Sequence, residues 1–315
     1  MQDKFRGALL GVAVGDALGA PFEGARKVDR VGLERLKAEP GPLRYTDDTH
    51  MTLGLAESLV KKSEFDGRHV AMTFARNYGQ EPWRGYGSGP PQVFRLMEEG
   101  VPWDEAGKML FAGKGSYGNG AAMRVTPCGL LYHRHLEKAA FMAGQSAMIT
   151  HAHDLGIEGA VLQACTVAFL VNIDPSVPLD LSALLGFLDT CAGSPVYREK
   201  LLQVRELATQ APVDEIARQV GNGIAAYEAV PAALWALLRN PGSFSGVVLD
   251  AISLGGDTDT IASMAGALSG AYLGEPAIPG VWRERVEGAG RLRGLADALL
   301  DLALKAGPEQ EEPGA

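Results

Sequence analysis

Residues 7–19 read Gly-Ala-Leu-Leu-Gly-Val-Ala-Val-Gly-Asp-Ala-Leu-Gly, an apolar stretch with a glycine at every fourth position. Residues four apart share one face of a helix, so these glycines form a bare stripe. Each helical glycine costs roughly 0.5–1 kcal/mol relative to alanine, which indicates that another segment approaches the stripe closely. A second stripe with the same spacing lies near the other end of the chain, at Ala262, Gly266, Gly270 and Gly274. We expect these two helices to pack tightly in the core, against each other, which would bring Asp257 and Asp259 near the acids that follow the first helix.

The rest of the chain also has a helical pattern. Apolar residues recur every three to four positions and strand-like alternation is nearly absent, which predicts an all-α protein. Five Ala- and Leu-rich stretches are expected to be helices: 51–60, 139–149, 158–171, 225–238 and 292–304. Gly- and Pro-rich connections are expected at 39–43, 85–91, 113–120 and 275–280. We predict one domain over residues 1–306 and a disordered Pro- and Glu-rich tail over 307–315.

Composition narrows the class of protein. The formal net charge of −9 and the lack of a basic stripe argue against a nucleic-acid partner. Cys128, Cys165 and Cys191 lack CxxC spacing, so neither a disulfide framework nor a zinc site is predicted, and a cytoplasmic location is expected.

No signal peptide is predicted. The apolar segments 5–22 and 260–274 are not membrane spans, because the first contains Asp16 and the second is too short. We therefore expect no membrane association, and a monomer.

Two short acidic segments carry the chemistry. Thr46-Asp47-Asp48-Thr49 and Asp257-Thr258-Asp259-Thr260 each open an apolar helix pattern. A helix cap explains one Asp per helix but not two. If the segments meet, their carboxylates would repel strongly unless cations compensate them, and the oxygen ligands suit Mg²⁺ or Mn²⁺. The pattern favours one binuclear metal site assembled from both segments.

Two other interpretations of these segments exist. They could be unrelated helix starts on the surface. The second segment also matches the DxDxT pattern of haloacid-dehalogenase-type phosphatases. That motif ends a hydrophobic strand near an N-terminus, whereas here it follows Leu254-Gly255-Gly256 late in a helical chain, which argues against a phosphatase.

Three further features are candidate site elements. Glu23 follows Pro21, which should end the first helix and leave the carboxylate on a loop as a possible general acid/base. The loop 113–120 is rich in glycine, and such loops either let backbone amides approach phosphates or simply connect helices. His151-Ala152-His153-Asp154 could suggest zinc, but no third His or Cys ligand is obvious, and His151 is the residue expected to contact a ligand.

These segments, in the same order from about residue 4 to 275, resemble the ADP-ribosylglycohydrolases. The resemblance rests on 7–11 with 15–23, 45–49, 115–124, 150–151 and 253–260. Segments 84–89 and 111–119 are most similar to the branch that cleaves O-linked ADP-ribose, in serine-ADP-ribose, poly(ADP-ribose) and O-acetyl-ADP-ribose.

The resemblance implies an orthogonal all-α bundle with two Mg²⁺ or Mn²⁺ ions in a cleft, acting on ADP-ribosylated proteins or other ADP-ribose conjugates. It implies that Glu23 is the catalytic acid/base. The implied metal ligands are Thr46, Asp47, Asp48, Asp257, Asp259 and Thr260. The implied ADP-ribose contacts are Phe111, Gly115, Ser116, Tyr117, Gly118, Asn119 and His151. Asp16 matches the family as well, in a buried supporting role or in direct contact.

Two alternatives to an O-linked hydrolase stay open at the level of sequence. One is a non-catalytic ADP-ribose-binding module on the same fold, although the presence of Glu23 and of every metal acid favours an enzyme. The other is a hydrolase of arginine N-glycosides, against which the segments around Arg84 and Gly115 argue weakly.

Overall fold

The computed structural model describes residues 1–29, 32–33, 41–207 and 211–305, so the tail predicted at 307–315 lies outside the described residues. Within those ranges the chain is helical, with isolated bridges but no β-strand, and the all-α prediction is confirmed. The α-helices, in chain order, are α1 Gln2–Gly19, α2 Asp47–Lys62, α3 Gly67–Gln80, α4 Gly89–Glu98, α5 Trp103–Ala106, α6 Leu110–Gly113, α7 Thr126–Leu131, α8 Leu136–Met148, α9 Asp154–Val171, α10 Leu181–Cys191, α11 Pro195–Leu207, α12 Val213–Gln219, α13 Ala226–Arg239, α14 Phe244–Ser253, α15 Thr258–Leu273, α16 Gly280–Arg283 and α17 Ala289–Lys305. Short 3₁₀ turns lie at Ala20–Phe22, Gly107–Met109, Asn119–Arg124 and Glu275–Ala277.

The glycine stripes of α1 and α15 face each other at the centre of the fold. A Cβ atom built on Gly11 would lie 2.1 Å from the carbonyl oxygen of Gly266, and one built on Gly15 would lie 2.0 Å from that of Ala262. A Cβ on Gly270 would lie 2.0 Å from the Gly7 oxygen. Backbone therefore touches backbone along an antiparallel pair, as the spacing predicted, and any larger residue would force the helices apart.

The five predicted helical stretches fall on α2, α8, α9, α13 and α17, except that Ile149 and Ala225 lie one residue beyond a helix end. The predicted connections are shorter than expected. Gly89 already begins α4, and its prolines occupy the first turn, where a missing amide breaks no intrahelical bond. Residues 39–40 of the first connection lie outside the described residues.

Most of the buried hydrophobic residues in the described ranges belong to one cluster that runs from Phe5 to Ala303. α9 crosses this core. It is long and apolar enough to span a membrane by length and composition alone, and 67% of it is buried inside the fold, as in core helices that pass the same test. The cysteines are free thiols, with Cys128 and Cys165 buried.

Candidate active site

The two acidic segments lie at helix N-termini, as predicted. Thr46 is the N-cap residue of α2 and Asp257 that of α15, and neither side chain accepts the usual capping hydrogen bond. The Asp257 carboxylate instead accepts a 2.6 Å bond from the side-chain amide of Asn119. The Thr46 hydroxyl donates to the carboxylate of Asp16 at 2.8 Å, so both side chains make tertiary contacts in place of capping bonds.

Antiparallel packing of α1 against α15 brings the end of the first helix to the start of the last acidic segment. The Thr258 hydroxyl donates to the carbonyl oxygen of Gly19 at 2.9 Å. Gly24 and Gly256 then join the following loops, since the Gly24 amide donates to the Gly256 oxygen at 2.8 Å. As a result Glu23, an exposed residue on the loop after Pro21, lies next to the second acidic segment.

The carboxylates of Glu23, Asp257 and Asp259 form one cluster, with one oxygen from each within 4.8 Å of the others. A set of three carboxylates at this separation could hold a metal ion. The sequence assigned Glu23 to acid/base chemistry alone, yet the structure places one of its carboxylate oxygens within 4.8 Å of oxygens of two residues expected to bind the metal. Its carboxylate is therefore positioned for either role.

Asp16 lies behind this cluster and is fully buried. It accepts hydrogen bonds from the backbone amide and the hydroxyl of both Thr46 and Thr49, at 2.6–3.0 Å. Burial raises its pKa to about 6, while these bonds act in the opposite direction. Asp16 thus supplies the acceptor for the first amides of α2 and fixes the orientation of the segment that carries Asp47 and Asp48.

Crowding and burial raise the pKa values of the acids around the cleft. Burial, and then the charge of Asp16, raises the pKa of Asp47 to about 8. Burial together with Asp257 raises the pKa of Asp259 to about 9. Burial and the neighbouring Asp16 and Asp259 hold the pKa of Asp48 well above its usual range. Without cations, these groups therefore resist simultaneous ionisation.

The donor set fits divalent cations. Asp48 Oδ1 is buried without a hydrogen-bond partner in the described part of the chain, which is unusual for a carboxylate oxygen. The Thr260 hydroxyl, 3.4 Å from Asp48 Oδ2, adds a neutral oxygen. Carboxylate and hydroxyl oxygens are the ligands that Mg²⁺ and Mn²⁺ prefer, and their charge would relieve the repulsion among the acids.

These residues line a cleft of about 220 Å³. Its walls contain most of the predicted site residues, namely Glu23, Asp47, Asp48, Phe111, Ser116, Gly118, Asn119, His151, Asp257, Asp259 and Thr260. Thr46 borders a neighbouring cavity beside Arg84, and the fully buried Asp16 lines neither. Met123, Thr150 and Ile224 also line the cleft but were not predicted as site residues. Met123 and Thr150 lie in segments that carry the resemblance, whereas Ile224 lies outside all of them.

A second cavity of about 480 Å³ adjoins the cleft and holds the remaining predicted contacts, Gly115 and Tyr117. The two spaces share Phe111, Ser116, Gly118 and Ile224. The Tyr117 ring packs edge-on against His153, with centroids 5.5 Å apart. One end of the combined space is acidic and the other is aromatic, which suits an elongated ligand with a polyol at one end and a flat ring at the other.

Several backbone amides of the glycine-rich loop 113–120 are not free to bind a ligand. The amides of Gly115, Gly118 and Asn119 already donate within the protein, to the Leu110 oxygen, the Ser116 hydroxyl and the Ile224 oxygen. They are therefore not available to a phosphate. The glycines instead allow close packing, since a Cβ on Gly115 would lie 2.7 Å from the His153 amide nitrogen.

Phe111 lies at the rim of the cleft in the short element α6, which is a strained left-handed turn and not a regular α-helix. Phe111 and Ala112 have φ angles of 52° and 57°, and Gly113 follows at 83°, so consecutive residues adopt the left-handed conformation. This conformation costs roughly 1–2 kcal/mol for each residue other than glycine. The turn leaves the Phe111 ring 61% exposed beside the cleft. Such strain is typical of a residue positioned for function.

The two histidines of the 151–154 segment have different surroundings. His153 accepts the Leu155 amide through Nδ1 and caps α9, as expected for a structural residue. His151 lines the cleft, and its Nδ1 lies 2.8 Å from the Thr150 hydroxyl. Arg84 lines the neighbouring cavity, where its guanidinium stacks on Tyr45 and donates to Glu287 at 2.8 Å.

Comparison with known proteins agrees with this geometry. The ADP-ribosylglycohydrolase family model matches residues 1–309. The chain is 38% identical to human ADP-ribosylhydrolase ARH3 over 94% of this chain and 92% of that protein. It is 28% identical to ADP-ribosylarginine hydrolase Tri1 of Pseudomonas putida, over 96% of this chain and 79% of that protein. A solved structure named ADP-ribosylglycohydrolase-related protein complex is 31% identical and superposes with a TM-score of 0.76, covering 96% of this chain and 98% of that one. The chain belongs to the ADP-ribosylglycohydrolase family.

Proposed function

We propose that this protein is a divalent-metal-dependent hydrolase that releases ADP-ribose from O-linked conjugates. One observation carries the proposal: the carboxylates of Glu23, Asp257 and Asp259 converge within 4.8 Å at the closed, acidic end of a cleft that opens toward Phe111 and Tyr117. The similarity to ARH3 proteins, higher in identity than the similarity to the arginine hydrolase, supports the O-linked class.

The acidic end would hold two Mg²⁺ or Mn²⁺ ions through Asp47, Asp48, Asp257 and Asp259, with Thr46 and Thr260 as hydroxyl ligands. Bound cations supply positive charge that orients the distal ribose hydroxyls and offsets the carboxylates. Asp16 holds the first segment in place through Thr46 and Thr49. The aromatic side chains at the other end would stack on the adenine ring.

Glu23 would carry the proton chemistry. Burial and then Asp257 raise the pKa of its carboxyl group, which favours a protonated form that can act as an acid. Glu23 would donate its proton to the leaving oxygen as the bond at ribose C1″ breaks, through an oxocarbenium-like transition state. It would then take a proton from the water that adds to C1″, which returns the enzyme to its starting state.

The test compares linkage and metal in one assay. Two peptides of the same sequence, one ADP-ribosylated on serine and one on arginine, are incubated separately with the protein, and released ADP-ribose is measured. We expect release from the serine-linked peptide, loss of release with chelator and recovery with Mg²⁺ or Mn²⁺. A preference for the arginine-linked peptide would overturn the O-linked assignment, and binding of ADP-ribose without any release would indicate a non-catalytic module.

A further inference from the structure

Arg124 is a buried cation whose contacts are neutral. Its side chain is 0% exposed, and no salt bridge joins it to a carboxylate in the described part of the chain. The guanidinium donates to the Ser146 oxygen at 2.6 Å, to the Gly120 oxygen at 3.1 Å and to the Thr150 hydroxyl at 2.7 Å, and it lies over the Phe74 ring. Burial lowers its pKa to about 9, so the group is still charged at neutral pH.

The contact between Arg124 and Thr150 determines which residue is the donor in the hydrogen bond between Thr150 and His151. A guanidinium only donates, so the Thr150 oxygen must accept from Arg124. Thr150 is fully buried, and the second polar atom at its hydroxyl is His151 Nδ1, at 2.8 Å. If Nδ1 carried a proton, the Thr150 hydroxyl proton would lose its acceptor, and buried donors without acceptors are rare. The hydroxyl therefore donates to Nδ1.

The remaining ring nitrogen of His151 faces the cleft. With Nδ1 as the acceptor, a neutral imidazole carries its proton on Nε2. Burial lowers the pKa of His151 to about 3, so the ring is neutral at physiological pH. Gly118 and Gly120 pack beside it, and Cβ atoms on them would lie 3.3 Å and 2.9 Å from Nε2. The missing side chains leave the N–H group open to a ligand.

We propose that Arg124 and Thr150 are positioning residues that fix His151 in the Nε2–H tautomer, so that it donates a hydrogen bond to an oxygen of the ligand in the cleft. The identity of that ligand as ADP-ribose rests on the proposed function, but the tautomer does not. Arg124 fixes the direction of the Thr150 hydroxyl proton, and Thr150 in turn fixes the tautomer of His151. The imidazole then presents its Nε2–H group as the donor.

The tautomer is measured directly by long-range ¹H–¹⁵N NMR on the histidine-labelled, metal-loaded protein, with the His151 signals assigned by loss in His151→Gln. The expected wild-type pattern is that of the Nε2–H form at neutral pH. An Nδ1–H pattern, or equal populations of the two forms, overturns the proposal. This measurement needs no substrate, so it stands even if the protein binds no ADP-ribose.

Variants test whether Arg124 and Thr150 fix the tautomer of His151. Thr150→Val removes the hydroxyl at constant shape, and we expect a population of the Nδ1–H form together with an increase of about 10-fold in the ADP-ribose Kd, the effect of one lost hydrogen bond. Thr150→Ser restores the hydroxyl and should return both quantities to within about 2-fold of wild type. Arg124→Met frees the Thr150 oxygen to accept from Nδ1 and should also populate the second tautomer.

The matched control is Thr73→Val, which removes another buried hydroxyl, one that bonds to the His69 oxygen away from the cleft. It should lower stability without changing the His151 pattern or the ADP-ribose Kd. If Thr150→Val and Thr73→Val behave alike in both measurements, or if Thr150→Ser fails to rescue a folded protein, Thr150 has no positioning role.

Discussion

Asn119 and Asp257 are joined by a hydrogen bond of 2.6 Å between the side-chain amide and the carboxylate, across 138 residues of sequence. The bond connects the glycine-rich loop to the second acidic segment. Both residues line the cleft. This pair of side chains therefore joins the glycine-rich loop directly to the acidic end of the cleft, in addition to backbone bonds that pass through residues 222–226.

Removing that pair should loosen the site. In Asn119→Ala, Asp257 loses a charge-assisted donor, so we expect the KM for an ADP-ribosyl conjugate to rise by about 10-fold and metal affinity to fall. Asn240→Ala is the matched control, because it removes a similar bond to Asp250 outside the cleft. Steady-state kinetics at several Mg²⁺ concentrations decides the matter, and equal KM values in the two variants would contradict the coupling.

Glu23 and the metal acids should differ in what their loss changes. Glu23→Gln removes the proton-transfer group, so kcat should fall by about 10²–10⁴-fold. Asp257→Asn removes a charge that balances the cations, so metal and ADP-ribose affinity should fall together with turnover. Calorimetry with ADP-ribose at fixed Mg²⁺ and a single-turnover assay separate the two effects.

Glu99→Gln, an exposed change at the end of α4, serves as the control for charge alone. Because Glu23 lies within 4.8 Å of Asp257 and Asp259, Glu23→Gln is expected to weaken metal binding modestly, less than Asp257→Asn does. Near-normal kcat in Glu23→Gln would leave Glu23 as a solvated loop residue.

Metal-free protein should lose stability as pH rises. The pKa values of Asp47 and Asp259 are raised in the folded state to about 8 and about 9, above the value of 3.8 for an unperturbed Asp. The folded state therefore binds more protons than the unfolded chain between pH 4 and 9. Its stability is greatest below pH 4 as far as these groups are concerned, and falls as pH rises toward their folded pKa values.

Thermal unfolding in chelator over this pH range measures the effect. Added Mg²⁺ should reverse the loss and should release protons on binding, because the ligands must ionise. Titration calorimetry in two buffers of different ionisation enthalpy detects the protons. A metal-free stability that rises between pH 5 and 8, with no proton release, would contradict the raised pKa values.

The glycine stripe should tolerate no added carbon. In Gly11→Ala the new Cβ would lie 2.1 Å from the Gly266 oxygen, so the two helices must separate, at a cost of about 1–3 kcal/mol or more. The control is Gly144→Ala in α8, where the nearest atom would be 3.5 Å away. That change should be neutral or stabilise by about 0.5–1 kcal/mol through helix propensity. Denaturant unfolding of both variants measures the difference.

Local pattern was enough to predict the all-α class, five helical stretches, the facing stripes and the acidic helix starts, because each depends on residues close in sequence or on a repeated spacing. The facing stripes also predicted that Asp257 and Asp259 lie near the acids that follow the first helix, and Glu23 is one of these acids. What had no sequence signal is the set of backbone hydrogen bonds that holds Glu23 there, because these bonds join loops far apart in sequence. The left-handed turn at Phe111 and Ala112 likewise has no sequence signal, because neither residue favours positive φ.

The same limit applies to Arg124 and Thr150. Both residues lie in segments that carry the family resemblance, 115–124 and 150–151, but the resemblance assigns neither of them a role. Their importance follows only from the partners that folding brings to them. For Asp16, the sequence indicated that the residue is unusual but did not determine its role. Its position in an apolar helix marked it as unusual, but its acceptor role toward α2 required the tertiary structure.

The stripe between α1 and α15 also limits how the two helices can align along their axes. Because the contact repeats every four residues, the helices have a second possible alignment one repeat away, in which glycines would again oppose small residues. A helix rises 1.5 Å per residue, so that slip would move the acids of α15 by about 6 Å relative to Glu23. The stripe alone does not exclude it. Only one alignment allows the hydrogen bond from Thr258 to Gly19 and the backbone bond between Gly24 and Gly256. These bonds at the ends of the two helices therefore favour the alignment in which the carboxylates meet.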